Sequence, residues 1–135
     1  MNKEELIQEL LNFNWDRTNV ELAIRANLKC EYCRKDLLEN MDNYKLWQVD
    51  HLIPKSSGYI DCEKFDNKAI SCVQFNKDLK GKWNPALEIG EGKTREKYIF
   101  TVKKYINKKR NDKNLEVAEM KRIVDNFSDF IKSNN

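Results

Sequence analysis

The stretch from Gln48 to Lys82 constrains the fold more than any other, because it sets two strand signals and a helix signal between firm stops. Leu46 to Ile53 carries Trp47 and Val49 and halts at Pro54, which predicts a strand with His51 near its end. Lys55 to Asp66, with Ser56, Ser57 and Gly58, reads as a loop. Ala69 to Ser71 predicts a second short strand, and Val73 to Lys80 a helix closed by Gly81. The expected class is therefore α+β, built on a strand–strand–helix core.

The same stretch carries the only histidine of the chain, directly after Asp50. An imidazole can take a proton from water near neutral pH, and a carboxylate and an amide oxygen are ligands of the hard kind that magnesium prefers. His51, Asp50 and Asn76 thus form a candidate set for phosphodiester hydrolysis, with His51 as base and one Mg2+ or Mn2+ held by Asp50 and Asn76. Such hydrolysis needs a base for water, a cation on the non-bridging oxygen and help for the departing oxygen. Lys77, Lys80 and Lys82 are placed to meet neighbouring phosphates. The plainer alternatives are an inert surface histidine, a turn residue at Asn67, a helix-surface residue at Asn76, and lysines that only solvate a helix.

Asp50-His51, the run Leu52-Ile53-Pro54, the pair Asp66-Asn67 before an apolar strand, and Asn76 with Lys80-Gly81 resemble an HNH endonuclease, including the HNH domain of RNA-guided CRISPR nucleases. The resemblance covers roughly Cys30 to Lys82. It implies a ββα-metal core with antiparallel strands, and the flanks lie outside it. It also implies that Asn67 clamps the loop carrying His51, and that cleavage leaves a 5′ phosphate and a 3′ hydroxyl. Cys30 and Cys33 match the zinc knuckle that many members place before this core. Zinc-bearing members have two Cys-x-x-Cys pairs, whereas here Cys72 is followed three residues later by Phe75. Either Cys30, Cys33 and Cys72 hold Zn2+ with Cys62, another side chain or water as fourth ligand, or the site is lost and the cysteines are buried thiols.

At 135 residues the chain is expected to form one domain, residues 1–135, with the core at about 30–82 and helical flanks at 1–29 and 93–132. In the first flank, Asn2 with Glu5 and Thr18 with Glu21 are capping-box signals for two helices, and Trp15 between them should reach the core. Arg34 to Tyr44 reads as a helical turn or loop. In the last flank, Tyr98, Ile99, Val102, Tyr105 and Ile106, then Val117, Met120, Ile123, Val124, Phe127, Phe130 and Ile131, predict two amphipathic helices lying over the core as a lid.

The formal net charge is only +3, which excludes a histone-like polycation. The distribution is uneven: Lys93, Arg95, Lys97, Lys103, Lys104, Lys108, Lys109 and Arg110 face a single acid, Glu96, over that span. Such asymmetry suits a protein that lays one face on DNA. No apolar run has the length of a membrane span, and the amphipathic, acidic N-terminus is not a secretory signal, so a cytoplasmic location is expected. Two further classes compete with the nuclease: a zinc-knuckle nucleic-acid-binding module without turnover, and an interaction protein whose aromatic-rich helices dimerise. A homodimer, or a partner that supplies targeting, remains open.

Overall fold

A computed structural model describes residues 1–134, and of these the side chains of Gln74, Asn76 and residues 128–134 lie outside the described set. The chain begins with α1 (Lys3–Leu11) and α2 (Arg17–Arg25). Asn2 caps α1 as a reciprocal box: its Oδ1 accepts from the Glu5 N–H at 2.9 Å, and its Nδ2 donates to Glu5 Oε1 at 3.0 Å. The cap of α2 is Asp16, whose carboxylate accepts from the Asn19 N–H at 3.3 Å, and the expected Thr18 cap is corrected accordingly. Asp16 has extended dihedrals suited to a cap, whereas Thr18 already lies inside the first turn. Together the two helices bury Ile7, Val20 and Leu22.

After α2, Asn27 and Leu28 both take positive φ, 56° and 59°, and throw the chain into the Cys30–Cys33 turn. For a leucine that conformation costs on the order of 1 kcal/mol, so the turn is held by what it docks against. A bridge between Lys29 and Asp36 and the single turn of α3 (Met41–Tyr44) follow. Trp15 stacks on Trp47 with ring centroids 5.3 Å apart, which ties the α1–α2 connection to the sheet.

β1 (Trp47–His51) and β2 (Lys68–Cys72) form a two-stranded antiparallel sheet in which Trp47 faces Cys72, Val49 faces Ile70 and His51 faces Lys68. Next comes a helix over Gln74–Lys80, wound as a π-helix where an ordinary helical turn was expected. It stops at Gly81, whose φ of 54° is the left-handed value that glycine adopts without penalty. One short turn, α4 (Ala86–Ile89), leads to α5 (Arg95–Asn134). The core joins Leu22 of α2, Leu52 and Ile53 beyond β1, Ile70 of β2, Phe75 of the π-helix, and Tyr98, Val102 and Ile106 of α5. Trp83 stacks flat on Tyr105 at 4.0 Å and pins α5 to the segment after the π-helix.

The lid differs from expectation. The two amphipathic segments form one unbroken helix, because the residues between them, Asn107 to Glu116, include neither glycine nor proline. Only its first part covers the core. From 107 to 127 every residue is exposed.

Candidate functional site

The two ends of the β1–β2 hairpin carry different chemistry. At the Trp47–Cys72 end, the Cys30–Cys33 turn docks edge-on against β2. Glu31 N–H donates to Ile70 O at 2.8 Å, and Ile70 N–H donates back to Glu31 Oε2 at 2.8 Å. Arg95, at the start of α5, holds the other oxygen of the same carboxylate at 2.6 Å. This latch brings the sulfurs of Cys30, Cys33 and Cys72 within 4.8 Å of one another, with Cys33 and Cys72 Sγ 3.7 Å apart. Zinc–sulfur bonds of about 2.3 Å in a tetrahedron place two thiolates about 3.8 Å apart, so the spacing suits a metal ion such as zinc.

The Cys33 N–H donates to Cys30 Sγ at 3.4 Å, which favours charge on that sulfur. Hydrogen bonds from the Cys33 and Cys72 thiols carry the Cys30 thiol down to about 2, and the same sharing pushes Cys33 and Cys72 up. Cys62 is not among the three. Its backbone carbonyl accepts from the Asn67 amide, at the opposite end of β2 from Cys72, so its candidacy as fourth ligand is withdrawn. Phe75, three residues after Cys72, is buried in the core instead. The Arg110 guanidinium lies 5.5 Å from its ring.

At the other end, His51 closes β1 and lines a cleft of about 310 Å³ together with Asp50, Pro54, Lys55, Ser56, Gly81 and Lys82. Asn67 fixes the loop that follows His51. Its Oδ1 accepts from the Ile53 N–H at 2.9 Å, and its Nδ2 donates to Ile53 O at 3.0 Å and to Cys62 O at 2.9 Å. Buried as it is, this amide satisfies backbone groups at both ends of the loop. The His51 Nε2 lies 3.2 Å from Glu63 Oε1, outside hydrogen-bond geometry, and the same carboxylate meets Lys55 at 2.9 Å and Lys68 at 3.5 Å. The Lys55 ammonium holds the Glu63 carboxyl down at about 2.

Asp50 is not an open ligand. Its Oδ2 accepts from the Tyr32 hydroxyl at 2.5 Å and lies 3.3 Å from Lys80 Nζ, which also donates to His51 O at 2.9 Å. All three side chains are buried. Burial pushes the Asp50 carboxyl up and the Lys80 ammonium down, each opposed by the other's charge, and it drives the Tyr32 phenol well above its usual range. Lys80 is therefore corrected from a phosphate contact to the inner half of an ion pair that ties the π-helix to β1. Lys77 and Lys82 are exposed, and only Lys82 lines the His51 cleft. The Asn76 side chain lies outside the described residues.

A magnesium site expects hard oxygens free to face the ion. Asp50, the carboxylate expected to hold the ion, already has the Lys80 ammonium as its counter-charge, so as placed it does not fit that ion. Tyr32, Glu31 and Glu63 were missed in the sequence. Tyr32 and Glu31 sit inside the cysteine turn, where only the sulfurs carry a motif, and Glu63 lies in a loop without periodicity.

No protein-family model matches the chain, and no curated protein is significantly similar to it. Among the described residues, no helix is long and apolar enough to cross a membrane.

Proposed function

We propose that the protein is an endonuclease of the HNH type, built on a ββα-metal core, that hydrolyses phosphodiester bonds in DNA. The observation that carries this reading is the position of the sole histidine: it ends β1 beside a cleft whose rim offers Lys55, Ser56 and Lys82, on a loop held by the Asn67 amide. Lys55 and Lys82 would draw a backbone phosphate into the cleft by charge. With the exposed Glu63 carboxylate swung away from its Nε2, His51 would take a proton from a water in line with the scissile bond. The water oxygen then bonds to phosphorus, the bond from phosphorus to the 3′ oxygen breaks, and that oxygen takes a proton from solvent. No step is assigned to magnesium or manganese, because Asp50, the carboxylate expected to hold the ion, is paired with Lys80. The Cys30, Cys33 and Cys72 cluster is read as a structural zinc site, separate from the cleft.

The buried Asp50–Lys80 pair favours a second reading, a zinc-knuckle module that binds nucleic acid without turnover. Supercoiled plasmid incubated with the protein in magnesium, manganese or chelator separates the two. Nicking by the wild type and not by His51→Ala supports the nuclease. Retardation of the plasmid without nicking supports the module, and neither nicking nor retardation overturns both.

A further inference from the structure

Residues 107–127 of α5 do nothing for the core. Residues 107–134 extend for roughly 40 Å at 1.5 Å per residue, and from 107 to 127 every residue is exposed. In proteins most helical stability comes from packing an apolar face. This helix has such a face. Val117, Met120, Val124 and Phe127 follow the 3-4-3 spacing of coiled-coil a and d positions, and they are 51%, 49%, 59% and 60% exposed. Ile123, 55% exposed, widens the stripe on one side.

We propose that this stripe is the seam of a parallel, two-stranded coiled coil with a second copy of the same chain. The charges beside the seam choose the occupant. With Val117 and Val124 at a, Glu116 falls at g and Lys121 at the following e, which is the pair that meets across a parallel two-stranded seam. The two-fold axis makes the match twice, once from each chain. An antiparallel pairing sets g against g and e against e, and gives neither charge an opposite partner. Within one chain Glu116 meets Lys113 at 3.2 Å and Lys121 meets Asp125 at 3.1 Å. Both pairs are exposed, and exposed pairs of this kind exchange at little cost. The preceding a and d positions hold Arg110 and Lys113, so the seam starts at Val117 and leaves the helices apart nearer the two bodies. The proposal does not depend on the nuclease reading. Were both correct, one dimer would offer two His51 clefts to the two strands of a duplex.

Sedimentation equilibrium on the full chain, from about 1 to 100 µM, tests it. A reversible monomer–dimer equilibrium is expected. Val124→Glu should weaken it by at least about tenfold, leaving the near-UV spectrum of the body unchanged, since Val124 touches nothing in the core. Lys121→Glu should weaken it, Glu116→Lys should weaken it, and the two together should restore it. A wild-type chain that stays monomeric at about 100 µM overturns the proposal. So does a trimer or larger assembly, a dimer that survives Val124→Glu, or a charge-swapped double variant that associates no better than the singles.

Discussion

The two ends of one hairpin solve opposite electrostatic problems. At the Cys72 end, the sulfurs of Cys30, Cys33 and Cys72 lie within 4.8 Å of one another, a spacing that could hold a metal ion such as zinc. At the His51 end, the buried carboxylate of Asp50 has its counter-charge built in as Lys80. The first end offers soft sulfur ligands that an external ion could use. The second is internally balanced, and the one imidazole there lies 3.2 Å from the Glu63 carboxylate. The comparison teaches that a pattern of ligand-type residues indicates a site only when the neighbouring charges are known. Asp50 and Cys72 sit on paired strands, yet it is the carboxylate that has an ammonium built in beside it.

The largest effect should come from emptying the cysteine end. Purified protein should carry close to one equivalent of zinc, and Cys72→Ser should lose it with a marked fall in the unfolding midpoint, out of the roughly 10 kcal/mol that structural zinc supplies to small peptides. Metal analysis and thermal unfolding on the same samples would check this, and a metal-free wild type of undiminished stability would break the comparison. Next is the balanced end. Lys80→Met strands the Asp50 carboxylate in the interior and should cost about 3–5 kcal/mol in urea unfolding, while Lys80→Met with Asp50→Asn should regain much of it. Zinc content should stay constant in both.

A smaller loss, about 1–3 kcal/mol, is expected from Asn67→Ala, chiefly because the buried Ile53 N–H loses its acceptor. Cleavage should fall with it while the cysteine end keeps its metal, so metal content and plasmid nicking measured together sharpen the division. The smallest effect is in pH. Burial raises the Asp50 carboxyl above 3.8, so the stability it contributes is fully present below pH 3.8 and is lost as pH rises through the raised folded value. The wild type should lose stability relative to Asp50→Asn across that window, and urea midpoints that run parallel for the two proteins would contradict the burial argument.

Much of the scaffold was legible because local rules agreed with the fold. Pro54 and Gly81 stop their elements where expected, Asn2 and Glu5 form the reciprocal cap, and the apolar residues around Val49 and Ile70 pair as strands. The failures are cases where tertiary context decided. Thr18 had the capping pattern, but Asp16 had the backbone for it. Two apolar clusters in α5 looked like two helices because periodicity lapses between them, while the absence of a breaker kept the helix whole. Lys80 looked like its exposed neighbours Lys77 and Lys82, since nothing in a lysine's sequence position tells which one turns inward to a carboxylate. Cys62 is a thiol like the others, and what removes it from the cluster is a loop held to Asn67 at the far end of β2.

The most direct test of the account is to measure zinc content and plasmid nicking on the same preparations of wild type, Cys72→Ser and His51→Ala. The account predicts that His51→Ala keeps its zinc and loses cleavage, whereas Cys72→Ser loses zinc and fold stability together. Cleavage by His51→Ala at the wild-type rate would contradict the assignment of chemistry to the histidine end.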